Sequence, residues 1–273
     1  MSALEDRWRL PDLRPLLLAT RPDCTLECVE AIDSTNTELM RRLRAGDVAC
    51  TALVAEQQSA GRGRLGRAWH GSALPAQGGL PGALTFSLSV PLVSTPWSGL
   101  PLALGLAVAQ SLHACIGLKW PNDLWWQDRK LAGILIETAN VGERRHAVIG
   151  VGINIAPRSA EGLATAPACL QEIVPELDAA ATLQRVLPAL LLALARFEAA
   201  GLAPFMEGYR ERDVLAGRQI ELGDGTLGQA VGVDAGGALL VHTATGMVTI
   251  SSSEVSVRPL SVPRHPTDGP SVP

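Results

Sequence analysis

The stretch SAGRGRLGRAWHG, residues 59–71, decides between two folds. Its glycines Gly61, Gly63 and Gly66 stand in the G-x-G-x-x-G spacing of a dinucleotide-binding turn, which would imply a doubly wound parallel sheet. Such a turn must follow a strand, open a helix and be answered by an acidic residue about 20 positions later. Residues 51–55 do read as the strand. The continuation RAWHGSALPAQGGLPG, residues 67–82, is broken by glycine and proline and cannot run as a helix. No Asp or Glu occurs between Glu56 and Asp123, so the ribose partner is missing as well. A G-x-x-x-x-G-K-[ST] phosphate loop is also absent. What remains is a glycine loop carrying Arg62, Arg64 and Arg67 inside an acid-free segment that also holds Lys119. Glycines let successive backbone N–H groups turn inward, and arginines add permanent bidentate charge. The stretch therefore reads as an anion site able to hold a carboxylate and a phosphate together.

Composition bounds the rest. A chain of 273 residues with 47% hydrophobic and 18% charged residues suits one large domain plus a small one, not disorder. A net charge of −4 argues against a nucleic-acid binder. No basic segment followed by an apolar run opens the chain, so no secretory signal is read. The most apolar run, residues 100–118, carries Gln110 and His113 and is read as a buried helix. Five cysteines, an odd number with no C-x-x-C, point to reduced thiols and a cytoplasmic protein without a zinc site.

Outward from the loop, residues 1–22 read as a leading helix interrupted by Pro11, Pro15 and Pro22, and 25–32 as a strand. Thr35 and Glu38 stand as T-x-x-E, a capping box for a helix ending near Gly46. Residues 71–82 should be loop, 84–90 a strand, and a helix should run from Pro101 to about Gly117. Three strands are expected at 119–126, 131–139 and 146–155. Helices are expected at 183–200 and 204–216. From Arg218 short β runs at 219–222, 227–233, 238–241, 247–251 and 254–258 alternate with GDG, DAGG and TATG turns, the texture of a small all-β module.

Two further constellations carry chemistry. In KWPNDLWWQDRKLAGILIE, residues 119–137, Pro121 and Asn122 force a turn or bulge and leave Asp123 near a strand end. There Asp123 either caps the turn or holds a metal or a cation. Lys130 begins the next strand, either as a surface charge or as a bridge between two anions. In IGVGINI, residues 149–155, glycines suit close backbone approach, and Asn154 must find a partner in a neighbour or a ligand.

STN at 34–36, AEQQSAGRGRLGRAW at 55–69, KWPNDL at 119–124, DRKLAGILIE at 128–137 and GVGINI at 150–155 follow one another in order. Together they closely resemble the biotin protein ligases, over about residues 25–160, with SSEVSVRPL resembling that family's ending. The resemblance implies an α+β fold: a mixed, mostly antiparallel sheet with flanking helices, of the class II synthetase-like biotin/lipoate ligase type. The catalytic domain would span 1–214, a small C-terminal β-barrel 215–261, and a disordered tail 262–273. It implies a two-step acyl transfer with ATP, biotin and Mg²⁺, through biotinyl-AMP, to a lysine of a biotin carboxyl carrier protein. Carried over residue by residue, Ser34, Thr35, Asn36 and Gln58 would contact biotin. Gly61, Arg62, Gly63 and Arg64 would close over biotin and the adenylate phosphate. Arg67 and Trp69 would lie at the nucleotide, Trp69 near the adenine. Lys130 would touch carboxylate and phosphate as the principal catalytic charge, aided by Arg62 and Arg64. Asn122, Asp123 and Asn154 would lie near the nucleotide, Asp123 also as the metal ligand.

Two departures stand out. The segment HGSALPAQGGLPGALTFSL is longer than the family's and lacks its N-L-Y asparagine. STN begins at residue 34, leaving too little chain before it for the family's winged helix-turn-helix. The expectation is a cytoplasmic enzyme, monomer or weak homodimer, with no nucleic acid or membrane partner. The alternative within the same fold is a lipoate–protein ligase or octanoyl transferase.

Overall fold

A computed structural model describes residues 2–69, 71, 79–92, 97–158, 167–251 and 257–260. The leading segment is two helices, α1 (Ala3–Arg7) and α2 (Leu10–Thr20), where one interrupted helix was expected. They part at Arg9, whose φ of 52° is left-handed. Pro11 lies in the first turn of α2, where a missing N–H leaves no bond unmade. Leu10, Leu13 and Leu17 fall on one face of α2 and are buried.

Next come β1 (Thr25–Ile32), α3 (Thr35–Arg44) and β2 (Thr51–Gln58), with β1 parallel to β2. β3 (Ala83–Pro91), α4 (Leu100–Leu112), β4 (Gly117–Lys119), β5 (Asp123–Trp126), β6 (Arg129–Val141) and β7 (Arg144–Asn154) follow. The strands join in one seven-stranded sheet of order β1-β2-β3-β7-β6-β5-β4. Every pairing but β1–β2 is antiparallel, which is the mixed, mostly antiparallel sheet expected.

Alternation sorts the two faces. Ala52, Val54, Phe86 and Ile149 join the main core with α4 and the long helix α5 (Ala179–Ala200). Their neighbours Leu53 and Val148 point the other way, onto Leu39, Met40 and Leu43 of α3. β3 is buried along nearly its whole length because both faces are covered. By length and composition α5 alone among the described helices is apolar enough to cross a membrane. More than half of that stretch is buried, and α5 packs on α4 and α2 as a core helix. It starts earlier than expected because Asp178 caps it, accepting from the Ala181 N–H at 2.6 Å. α4 ends at Leu112, well before Gly117.

The strand expected at 119–126 is a hairpin instead. β4 and β5 fold back across Trp120–Asn122, where the Trp120–Pro121 bond is cis, and Lys119 ends opposite Asp123. Gln127 and Asp128, with φ of 48° and 57°, form the two-residue turn into β6. The helix expected at 204–216 is a 3₁₀ turn (Ala203–Phe205) followed by α6 (Met206–Arg212), after which Asp213 is extended.

The C-terminal strands β8 (Gln219–Leu222), β9 (Leu227–Val233), β10 (Leu239–Thr243), β11 (Gly246–Ile250) and β12 (Val257–Pro259) form an antiparallel sheet of order β11-β10-β9-β8-β12. Among the described residues β11 and β12 do not pair, so the expected barrel stays an open sheet. The Trp120 indole N–H donates to the Gly237 carbonyl at 2.9 Å, tying the β4–β5 hairpin to the β9–β10 turn. Residues 252–256 of the SSEVSVRPL motif and the tail 262–273 lie outside the described residues.

Candidate active site

A cavity of about 120 Å³ lies on the α3 side of the sheet. Two cross-strand rows floor it: Thr85, Gly152 and Gly133, then Ser87, Gly150 and Leu135. Strand pairing brings these mostly small side chains together, and their size leaves the space.

One end of the cavity is a neutral hydrogen-bonded network. Ser34, not Thr35, caps α3, its Oγ accepting from the Thr37 N–H at 3.3 Å. The T-x-x-E reading was off by one residue, and Glu38 pairs with Arg41 and Arg42 instead. The shift releases Thr35. Its N–H donates to Gln58 Oε1 at 2.7 Å, and its hydroxyl lies 2.8 Å from Ser87 Oγ. Ser87 donates to Asn36 Oδ1 at 2.9 Å, and Asn36 Nδ2 donates to Glu137 Oε2 at 2.7 Å. A Cβ on Gly150 would lie 2.5 Å from Asn36 Oδ1, so only glycine lets α3 sit this close.

The other end is charged. Lys130 Nζ pairs with Asp123 Oδ1 at 2.7 Å. Arg64 donates to Asn122 Oδ1 at 3.2 Å, while Asn122 exchanges hydrogen bonds with the Ile134 backbone at 2.7 and 2.9 Å. Lys119 lies over the Trp125 ring, 5.1 Å from its centroid. Burial pushes the Lys119 ammonium down to about 8 against the opposing pull of Asp123, with Lys130, Arg67 and Arg64 adding to the depression. Burial also lowers Arg64 from its usual value. Arg62, Arg64, Arg67, Lys119 and Lys130 all line the cavity, and Asp123 is the sole carboxylate beside them among the described lining residues. That excess of positive charge suits anions.

The glycine-arginine stretch closes the cavity as a folded flap. Trp69 N–H donates to the Gly61 carbonyl at 2.9 Å and Gly63 N–H to the Arg67 carbonyl at 2.7 Å. Its tip is a 3₁₀ turn (Arg64–Gly66) with Leu65 at φ 56°. The flap ends on Trp69, whose ring occupies the place of a Gly152 side chain: a Cβ there would come 2.5 Å from Cε2.

Of the residues singled out in the sequence, Ser34, Thr35, Asn36, Gln58, Arg62, Gly63, Arg64, Arg67, Trp69, Asn122, Asp123 and Lys130 line this cavity. Gly61 packs behind it, against the Trp69 carbonyl. Asn154 is buried outside the lining, its amide donating to the carbonyls of Ala168 at 3.1 Å and Lys130 at 3.3 Å. It braces the backbone that carries Lys130. Ser87 and Glu137 were not singled out, and Lys119 was noted only as a cation of the acid-free segment. Alternation did hold a signal for Glu137, which shares a face of β6 with Gly133 and Leu135. Among the described residues no group of three or more His, Cys, Asp or Glu side chains is placed to hold a metal.

Residues 28–154 match the biotin/lipoate A/B protein ligase family, and residues 217–258 match the biotin protein ligase C terminal domain. The bifunctional ligase/repressor BirA of Escherichia coli is 37% identical over 242 residues, covering 83% of this chain and 72% of that protein. The biotin–[acetyl-CoA-carboxylase] ligase of Mycobacterium tuberculosis is 33% identical over 247 residues, 84% of this chain and 88% of that protein. Among solved structures, the biotin protein ligase from Aquifex aeolicus in complex with biotin and ATP superposes with a TM-score of 0.71 at 31% identity, over 86% of this chain and 99% of that one.

Proposed function

The chain belongs to the biotin protein ligases, and on that premise we propose how its pocket performs their reaction. The enzyme activates biotin with ATP to biotinyl-5'-AMP and then transfers biotin to a lysine of a carrier protein. In the first step a biotin carboxylate oxygen attacks the α-phosphorus and pyrophosphate leaves. In the second, a lysine amine attacks the acyl carbon and AMP leaves, a far better leaving group than hydroxide. Two anions must meet before the first bond forms, so the protein's task is positioning and charge compensation.

The neutral end takes the uncharged ring system of biotin, through Ser34, Thr35, Asn36 and Gln58. The charged end takes the carboxylate and the phosphates. Lys130, held by Asp123 at 2.7 Å, is the cation at the join. Arg62, Arg64 and Arg67 close from the flap, Trp69 lies against the adenine, and Lys119 adds a second ammonium, half-buried. Asn154 acts through the backbone of Lys130. Mg²⁺ would arrive on the phosphates of ATP and offset their charge, with Asp123 the carboxylate at hand. Such a metal uses few protein ligands and many phosphate oxygens, so one lining carboxylate suffices.

The carrier is that of acetyl-CoA carboxylase, by the name of the Mycobacterium tuberculosis relative. The division into a catalytic unit at 1–214 and a C-terminal unit at 215–261, and a monomer or weak homodimer, belong to the same proposal. So does action in the cytoplasm.

One observation carries this reading: a single cavity has a neutral donor–acceptor network at one end and five cationic side chains toward the other. Biotin-dependent exchange between ATP and pyrophosphate tests it, with lipoate as control. Exchange with biotin and none with lipoate is expected. Exchange with lipoate alone would overturn it.

A further inference from the structure

Glu137 lies outside the lining of the cavity, yet two of its walls end on it. One carboxylate oxygen accepts from Asn36 Nδ2 at 2.7 Å. The other lies 3.7 Å from the Arg62 guanidinium on the flap. Asn36 belongs to α3 and Arg62 to the loop after β2, so one side chain on β6 joins two elements distant in the chain.

The direction of the hydrogen bonds gives this junction a consequence. An ionised carboxylate only accepts. Asn36 must therefore turn its NH₂ to Glu137 and its Oδ1 to Ser87. Ser87 must then donate to Asn36, as it does at 2.9 Å, leaving its lone pairs for the Thr35 hydroxyl at 2.8 Å. Gln58 Oε1 accepts from the Thr35 N–H at 2.7 Å and lies 3.2 Å from the Thr35 hydroxyl, whose hydrogen is shared between it and the nearer Ser87 Oγ, so Gln58 presents its NH₂ elsewhere. Polarity runs from Thr35 through Ser87 and Asn36 to the carboxylate. Without that terminal acceptor the Asn36 amide has no preferred orientation, and the donors and acceptors offered to a bound molecule are no longer set.

We propose that Glu137 is a positioning residue that sets the hydrogen-bond polarity of the biotin seat and, through Arg62, couples that seat to closure of the flap. This rests on the functional reading above and names a residue which that reading does not use. The Arg62 contact is long, and the guanidinium is half exposed, so it contributes little by itself. The Asn36 contact is short and made to a buried amide, so it contributes more.

Replacing Glu137 by Gln and by Ala separates the two roles. Glutamine keeps an acceptor for Asn36 and loses the charge, whereas alanine loses both. For E137Q the biotin KM should stay within about twofold of wild type, while biotinyl-AMP leaves about threefold faster. For E137A the biotin KM should rise about tenfold or more, with the ATP KM little changed. The leak of R62A/E137Q should equal that of R62A alone, because the charge pair is already broken. A biotin KM for E137A like that of wild type, an E137Q as impaired in biotin KM as E137A, or additive leaks in the double variant would each overturn the proposal. Wild-type enzyme without biotin-dependent exchange would instead overturn the functional reading.

Discussion

The two ends of the cavity are built on opposite principles. At the neutral end the polar side chains are engaged with one another: Thr35 with Gln58 and Ser87, Asn36 with Ser87 and Glu137. At the other end positive charge outweighs negative, and Lys119 is depressed to about 8 by burial among other cations. A satisfied network is rigid and selects one shape. A cluster in which cations outnumber carboxylates is held in a state that an arriving anion relieves. On the proposed assignment, affinity for the neutral ring is a matter of fixed geometry, whereas ATP and the carboxylate are drawn by an excess of positive charge.

The sharpest way to break this contrast is at Lys130. Lys130→Ala should lower biotin-dependent pyrophosphate exchange by about 10²–10³-fold, with an unchanged thermal melt, since the lost group stabilises developing charge. Near-normal exchange would remove Lys130 from the charged end's chemistry.

The two close-approach glycines divide the ends more finely. Gly150→Ala pushes on Asn36 and should raise the biotin KM roughly tenfold, leaving the ATP KM nearly unchanged. Gly152→Ala pushes on Trp69 and should do the reverse, with an ATP KM raised roughly tenfold. Steady-state kinetics with each substrate varied reads both. Parallel rises in both variants would mean that the ends do not act separately.

Flap retention should respond more gently. Arg62→Ala should shorten the lifetime of bound biotinyl-AMP by about fivefold, measured by its release from preloaded enzyme, because the arginine is half exposed. Equal lifetimes would take Arg62 out of retention.

The smallest effect is a titration. The Lys119 ammonium persists below about pH 8 and is lost above it. The kcat/KM for ATP, which reports the free enzyme, should fall as pH rises through about 8. Lys119→Arg should remove that limb, because guanidinium stays charged.

Much of this site was legible in the chain, but unevenly. Arg62, Arg64 and Arg67 announced an anion because charge spaced by glycine has few other uses, and the failed helix after them ruled out the dinucleotide fold. Lys130 was legible as a charge at a strand start. The cap at Ser34 was missed by one position because Ser34 and Thr35 both favour caps, and only the turn geometry chooses between them. The strand expected at 119–126 hid a hairpin that sets Lys119 opposite Asp123. Asn154 could be read as partnering a neighbour or a ligand, because an asparagine in an apolar strand reads the same whichever way it faces, and its amide donates to the Ala168 and Lys130 carbonyls.

Local pattern by itself determined most of the strands and helices and the chemistry of a loop whose charge has no acidic partner nearby in sequence, while the mixed sheet that joins the strands was expected from the family resemblance. The strands, helices and loop chemistry follow from residue type and short-range spacing. Only the tertiary structure decided that Glu137 ends a chain begun at Thr35, that Gly150 and Gly152 admit Asn36 and Trp69, and that Lys119 sits half-buried opposite Asp123. Each depends on strand order β3-β7-β6, which sets residues far apart in the chain side by side across hydrogen-bonded strands.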